Sequence, residues 1–192
     1  MIRIVKTFRY VTIAILIMVW SQAYAQKTYV LASDNQFKLE GTSTIHDWEM
    51  VSSHAEGNTE ITLANGKIAN IKTLLLNFPV VTLKSGKSAM DNNAYKALDE
   101  KQYPQIYFEL TEVESIIDQM IKAKGNLTIS GNSSMVSLEV NYQLSEDDIW
   151  FTGSIPITFT QFKLDPPKAL FGTIKTGDDL KISFETIFKS KI

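Results

Sequence analysis

The 192-residue sequence contains no cysteine, only two histidines, five prolines and nine glycines. Without cysteine the chain has neither a disulfide bond nor a thiolate metal site. The scarcity of proline and glycine argues against a long flexible linker, and the length suits one domain. We therefore expect a single domain that is stabilised by its core alone.

Sequence motifs of known catalytic sites are also missing. No G-x-S-x-G elbow, Walker loop, G-x-G-x-x-G or H-E-x-x-H pattern occurs. Ser43, His46 and Asp47 supply the residue types of a catalytic triad, but adjacency in sequence does not create triad geometry. The second histidine, His54, would lie roughly 27 Å from His46 on an unbroken strand, too far to share a metal ion. We expect no enzymatic activity, no cofactor and no metal site.

The N-terminal segment has the three parts of a secretory signal peptide. Three basic residues and no acidic residue precede an apolar run from Val11 to Trp20, and Ala23-Tyr24-Ala25 follows it. The run is shorter than the roughly 20 apolar residues of a membrane-spanning helix. We therefore predict that residues 1–25 are a cleaved signal peptide and that residues 26–192 are the working domain. This domain would be periplasmic or secreted, without a stable membrane anchor.

Removal of the signal peptide would make the domain acidic. The chain has 19 Lys+Arg and 21 Asp+Glu. Three of the basic residues and none of the acidic residues lie in residues 1–25, which leaves 16 against 21 and a net charge of −5. This charge argues against nucleic acid or an anionic membrane surface as a partner.

Apolar and polar residues alternate along most of the predicted domain. A period of two is typical of antiparallel strands with one buried face and one wet face. Such runs cover Phe37–Leu39, Ile106–Leu110, Leu127–Ile129, Val136–Leu144 and Leu180–Phe188. Turn signals such as Asn65-Gly66 and Glu146-Asp147-Asp148 separate them. The pattern predicts an all-β sandwich or barrel.

The segment Met90–Gln102 interrupts the alternation and predicts one short helix between two strands. Asp91 or Asn92 is suited to cap its start, and Tyr103-Pro104 follows its end. Its small apolar face would consist of Ala94, Tyr95, Ala97 and Leu98. Elsewhere, Phe78-Pro79 and Ile155-Pro156 each indicate a strand edge, bend or bulge, because proline cannot donate to a ladder.

Several motifs resemble those of the YceI-like family. They are Gly41–Trp48, Ser85–Leu98 followed by Lys101–Phe108, Gly125–Gly131, and Phe171–Asp178, and they occur in the family's order. The resemblance implies an eight-stranded antiparallel, lipocalin-like β-barrel with the short helix inserted between strands. It also implies an amphiphilic, polyisoprenoid-like lipid as the partner, held in an apolar cavity.

Ten residues are candidate ligand contacts in such a barrel. They are His46, Trp48, Phe78, Phe108, Leu127, Ile129, Phe151, Ile157, Phe159 and Phe184. Ordinary core packing would also explain each apolar member of this set. On a strand, His46 and Trp48 would share one face. His46 would then serve either as a polar handle on a ligand head group or as a structural hydrogen-bonding residue beside a packed Trp48.

Two functions remain open at this point. The first is an exported protein that sequesters or carries an isoprenoid-type lipid. The second is an exported interaction or stress-response module with a filled barrel and no small-molecule ligand. A continuous apolar cavity would favour the first function, and a densely packed interior would favour the second. The sequence leaves open the head group of the ligand and whether the protein forms a homodimer.

Overall fold

The computed structural model describes residues 25–191, so the predicted signal peptide lies outside the described residues except for Ala25. The strands are β1 (Ala25–Leu31), β2 (Gln36–Ser43), β3 (Trp48–Ser52), β4 (Glu56–Ala64), β5 (Lys67–Pro79), β6 (Gln105–Ile117), β7 (Met120–Ile129), β8 (Asn132–Ser145), β9 (Asp148–Thr158), β10 (Lys168–Ala169) and β11 (Ile174–Ser190). One α-helix, α1 (Ser88–Ala97), lies between β5 and β6. Short 3₁₀ turns occur at Val80–Thr82, Thr160–Phe162 and Leu170–Gly172.

The sheet closes on itself as an antiparallel barrel. Its order is β1-β4-β5-β6-β7-β8-β9-β11, and β1 also pairs with β11. The strands β2 and β3 continue β1 and β4 beyond two bends, because β2 pairs with both β11 and β3. Eight antiparallel strands therefore form the barrel wall, when β2 and β3 are counted as continuations of β1 and β4. This confirms the predicted eight-stranded barrel with one inserted helix.

The two ends of the barrel differ in their connections. Tight two-residue turns close one end, between β4 and β5, β6 and β7, and β8 and β9. At the other end lie the β2–β3 turn, the α1 segment and the long β9–β11 connection. We call this second end the mouth.

Side-chain alternation along the strands creates the core. In β7, every second residue from Ile121 to Ile129 is buried, and the residues between them are partly or fully exposed. The strand β8 shows the same pattern from Val136 to Tyr142. The alternation read from the sequence therefore assigns the inward faces of these strands correctly.

Tyr142 seals the closed end of the barrel. The β5–β6 ladder extends only from Leu75 to Pro79 on β5, so these two strands part towards the closed end. The Tyr142 hydroxyl accepts a hydrogen bond from the Ile68 N–H at 3.3 Å and donates one to the Asp118 carbonyl at 3.1 Å. One buried side chain thus satisfies backbone groups on both sides of the gap.

The helix begins earlier than the sequence predicts. Its N-cap is Lys87, which makes no side-chain capping bond, so the prediction that Asp91 or Asn92 caps the helix is wrong. The Asp91 carboxylate instead accepts hydrogen bonds from the Ser85 N–H at 2.8 Å and the Ser85 hydroxyl at 2.6 Å. Asp91 therefore fastens the preceding loop to the first turn of α1.

The two prolines singled out in the sequence lie where ladders end. Pro79 is the last residue of β5. Pro156 lies beyond the last β8–β9 pair, Glu139 with Ser154, and pairs only with Lys181 on β11. Its missing N–H therefore removes no bond from the β8–β9 ladder.

Candidate functional site

The barrel encloses a cavity of about 440 Å³ that reaches the mouth. Inward side chains of β2 to β9 and β11 form its wall, and α1 lies across part of the mouth. The volume falls within the range of small-molecule sites, and eight strands are enough to enclose one small ligand. The interior is therefore an internal site rather than a completely filled core.

The structure brings all ten sequence-predicted residues together around this cavity. They are His46, Trp48, Phe78, Phe108, Leu127, Ile129, Phe151, Ile157, Phe159 and Phe184. Phe108, Leu127 and Phe151 are buried strand residues, whereas His46 is exposed at the mouth. The set thus extends from the barrel interior to its opening.

Other residues that line the cavity are not among the predicted ten, although the alternation of apolar and polar residues marks several of them as inward. Phe37 and Leu39 flank an outward polar residue, and Ile182 and Phe188 share the parity of the predicted Phe184. The helix contributes an inward face of Met90, Asn93, Ala94 and Ala97. Of the predicted helix face, Ala94, Ala97 and Leu98 line the cavity and Tyr95 does not.

Tyr95 anchors α1 instead of facing the cavity. Its hydroxyl lies 2.9 Å from the Val81 carbonyl and 2.8 Å from the Leu83 carbonyl, and it accepts a bond from the Lys84 ammonium at 2.7 Å. Just beyond Tyr95, at the C-cap of the helix, the Ser130 hydroxyl donates to the Leu98 carbonyl at 2.5 Å. These bonds fix α1 across the mouth.

The hydrogen bond from Ser85 to Asp91 also changes the pKa of the Asp91 carboxyl group. The Ser85 hydroxyl stabilises the ionised carboxylate and is the main reason that the pKa of Asp91 is lower than its ordinary 3.8. Partial burial opposes this shift. The charged form of Asp91 is therefore the form that holds the start of the helix.

Three inward glycines each lie beneath an aromatic ring of the cavity wall. Gly41 is the cross-strand partner of Trp48, and Gly153 is the partner of Phe184. Gly125 lies under the ring of Phe108. A Cβ atom at any of the three positions would collide with the ring, so glycine is what lets these rings lie flat along the wall.

The deep part of the cavity is apolar, and its few hydroxyls are occupied. The Thr59 hydroxyl donates to the Thr73 carbonyl at 2.6 Å, and the Thr186 hydroxyl donates to the Phe151 carbonyl at 3.4 Å. These threonines therefore use their hydrogens within the wall. A ligand that enters this region gains by removing apolar surface from water rather than by forming new polar contacts.

Polar groups that are free to meet a ligand gather at the mouth. Three lysines border the cavity, Lys38, Lys87 and Lys168, and no carboxylate does. Lys38 lies between the inward Phe37 and Leu39, so its ammonium group is directed to the outer face. Lys38 pairs with Glu40 at 3.1 Å. Among residues 25–191, Lys87 and Lys168 have no ion-pair partner within 4.0 Å. The mouth therefore offers two uncompensated ammonium groups.

His46 lies in the β2–β3 turn and not on a strand, so the strand-parity argument does not apply to it. The Ser43 hydroxyl accepts from the His46 N–H at 3.3 Å and donates to the His46 carbonyl at 2.7 Å, which makes the turn. The imidazole Nδ1 lies 2.7 Å from the Asp47 carbonyl, to which it donates. This bond is structural, while Nε2 remains available at the mouth.

Trp48 combines a structural bond with a cavity contact. Its indole N–H donates to the Thr42 carbonyl at 3.0 Å, while its ring lies over Gly41 and borders the cavity. The ring is only partly buried, so Trp48 is a mouth residue rather than a core residue.

Two further findings concern other kinds of site. Across residues 25–191, His, Asp and Glu side chains nowhere gather in a group of three or more that could hold a metal ion. Within the same residues, no helix has both the length and the apolar character needed to cross a membrane.

Comparisons with known proteins bear on the fold and the family. Burkholderia cenocepacia BcnA is similar in structure, with a TM-score of 0.70 and 16% identity over 82% of this chain and 98% of that one. A polyisoprenoid binding domain from Saccharophagus degradans has a TM-score of 0.65 and 10% identity, over 87% of this chain and 100% of that one. A Campylobacter jejuni YCEI protein has a TM-score of 0.54 and 21% identity, over 65% and 75%.

At these identities the solved structures establish the fold alone. No curated protein matches the sequence. The family model of the YceI-like domain matches residues 23–188, which is most of the chain. The motifs in the sequence and the barrel in the structure agree with that match. This chain therefore belongs to the YceI-like family.

Proposed function

We propose that the protein binds an amphiphilic, isoprenoid-type lipid in the barrel cavity and sequesters or carries it through water. The observation that carries this proposal is the internal cavity, which has an apolar depth and polar groups at its mouth. Such a division matches a molecule with a long apolar tail and a small polar head. The proposed role is binding and not catalysis.

The physical gain comes from the tail. Apolar surface removed from water stabilises a complex by roughly 25 cal/mol per Å². Phe108, Phe151 and Phe184 offer flat or edge contacts to a branched chain inside the barrel. The head would remain near Asn93 and His46, which line the cavity at the mouth end.

The structural neighbours support the class of ligand. The Saccharophagus degradans domain is described as polyisoprenoid binding and covers 87% of this chain in the structural match. The same barrel in this chain also has an apolar cavity. A filled interaction module, the alternative raised by the sequence, would have a densely packed interior, so the cavity favours the lipid.

A fluorescence titration tests the proposal. The chain has three tryptophans, of which Trp48 borders the cavity and Trp150 is exposed on the barrel exterior. In protein that lacks residues 1–25, Trp150→Phe leaves Trp48 as the only indole. We expect a saturable change in Trp48 emission when a prenyl alcohol is added.

The matched control is Trp48→Phe, which keeps Trp150 as the reporter. Its emission should stay unchanged, because Trp150 lies on the outer face of β9 and does not line the cavity. An isoprenoid that changes neither reporter, together with no co-purified or exchangeable lipid by mass spectrometry, would count against the proposal.

The proposal includes export, with residues 1–25 removed as a signal peptide. Its support is the basic, apolar and small-residue order of that segment. Intact mass spectrometry of protein purified from the extracytoplasmic fraction tests it. We expect a chain that starts at Gln26, and a mass that retains residues 1–25 would exclude cleavage.

A further inference from the structure

Phe171 occupies an unusual position for a large apolar side chain. It has a relative exposure of 109% and a backbone φ of 55°. The next residue, Gly172, also has a positive φ of 87°. Turns with two such residues normally use Asn, Asp or Gly, because a side chain such as phenylalanine is strained there. Neither packing nor backbone preference accounts for a phenylalanine at this site.

The hairpin that carries Phe171 stands at the mouth of the cavity. Its strands β10 and β11 pair Lys168 with Lys175, and Lys168 lines the cavity. The Lys175 carbonyl accepts a bond from the Thr44 N–H at 3.0 Å, which ties the hairpin to the β2–β3 turn. In that turn, the neighbouring Ile45 is 62% exposed and also lines the cavity.

Three lysines lie at the same end of the barrel as these two apolar tips, where the exposed Asp47 is the acidic residue nearest to Ile45 in sequence. Lys87, Lys168 and Lys175 are exposed at the mouth and, across residues 25–191, none of them has a carboxylate within 4.0 Å. Exposed apolar tips beside lysines are the combination that adsorbs to an anionic lipid surface. The net negative charge of the whole domain opposes adsorption elsewhere, and it therefore favours contact through the mouth.

We infer that the mouth docks transiently on a bilayer that contains anionic phospholipid. Phe171 and Ile45 enter the head-group layer, and the three lysines contact lipid phosphates. The inference rests on the proposed function, since docking in this orientation brings the cavity to the membrane from which a lipid enters. Transfer would then avoid exposing the lipid tail to water.

Vesicle flotation tests the inference with matched variants at both ends of the barrel. The processed protein is mixed with phosphatidylcholine vesicles, with or without about one-third phosphatidylglycerol. At the mouth we compare Phe171→Ser and Lys175→Gln, neither of which alters a residue that lines the cavity. At the closed end the controls are Ile117→Ser, where the isoleucine is 66% exposed, and Lys67→Gln.

We expect flotation with the anionic vesicles only. Loss of one phosphate-contacting lysine should weaken binding roughly fivefold, and Phe171→Ser should weaken it at least as much. Both closed-end variants should bind like the parent. The inference is overturned if the parent does not float with anionic vesicles, or if a closed-end variant loses as much binding as its mouth counterpart.

The Trp48 titration in solution separates this inference from the proposed function. If the parent protein takes up prenyl alcohol but does not float with anionic vesicles, docking is overturned and lipid binding is still supported. Docking that depends on Phe171, together with no uptake and no bound lipid, would support the docking surface and overturn lipid binding. The mouth variants should take up prenyl alcohol like the parent.

Discussion

Gly153 on β9 lies directly opposite Phe184 on β11, and the phenylalanine ring covers the glycine. The ring Cζ would lie 2.7 Å from a Cβ atom at position 153. Phe184 borders the cavity, so the absence of a side chain at position 153 sets where the cavity wall stands.

The first prediction follows from this contact. Gly153→Ala should push the Phe184 ring out of its place and destabilise the barrel by about 1–3 kcal/mol, the usual cost of overpacking. Chemical denaturation measures the change. In the double variant with Phe184→Leu, the added methyl has room, so the two free-energy changes should be clearly less than additive. Full additivity would show that the two residues do not interact.

The second prediction concerns the cavity volume. Ala123 is buried on β7 and lines the cavity. Ala123→Leu should occupy part of the space and weaken lipid binding at least tenfold in the Trp48 titration. Because the cavity gives the added atoms room, the loss in free energy of unfolding should stay below the value of about 1–3 kcal/mol that is typical of overpacking. The control is Ser137→Leu on the outer face of β8. Unchanged binding by the Ala123 variant would place the ligand elsewhere.

The third prediction concerns the closed end. Tyr142→Phe removes the hydroxyl that bridges Ile68 and Asp118 and leaves a buried N–H without its partner. The expected loss of stability is about 1–3 kcal/mol. Tyr107→Phe is the control, because Tyr107 is 50% exposed. Equal stability of the two variants would contradict the sealing role of Tyr142.

The fourth prediction is a pH dependence at α1. The pKa of Asp91 in the folded protein lies below its ordinary value of 3.8, chiefly because the Ser85 hydroxyl donates to the carboxylate. Its stabilising effect is therefore fully present above the ordinary pKa and disappears as the pH falls through the folded-state pKa. Asp91→Asn should lower the melting temperature near neutral pH, and the difference from the parent should shrink below pH 3.8.

The exposed Asp34→Asn, in the β1–β2 connection, is the matched control for that experiment. It should leave the melting temperature unchanged at every pH. A difference between Asp91→Asn and the parent that persists undiminished at the lowest pH would contradict a role for the charged carboxylate.

The sequence predicts the barrel well because the alternation of side chains is a local property of each strand. Successive side chains of a strand point to opposite faces, so Leu127 and Ile129 point inward while Thr128 between them does not. Three consecutive residues are enough to show this pattern. Eight of the ten predicted site residues are apolar strand residues, and they line the cavity because an apolar inward residue of a barrel with an open interior borders that interior. The other two are Phe159, which follows the end of β9, and His46 in the β2–β3 turn.

The errors arose where contacts that follow no strand or helix period decide the local structure. Asp91 suits a helix cap, but the loop at Ser85 uses its carboxylate. The predicted position of His46 is on a strand, but the Ser43 hydroxyl bonds the His46 N–H and carbonyl and so forms a turn there. Such bonds leave no periodic pattern in the sequence. Lys168 reaches the mouth through the pairing of β10 with β11, and no local pattern marks that position.

The most direct test of the central claim is mass spectrometry of what the native barrel holds. The protein is purified without detergent, and its intact complex and organic extract are both measured, with Ala123→Leu as the comparison. We predict an isoprenoid-type lipid in a one-to-one complex with the parent and a smaller bound fraction in the variant. A parent that carries no lipid, and that takes up no added polyisoprenoid, would contradict the account.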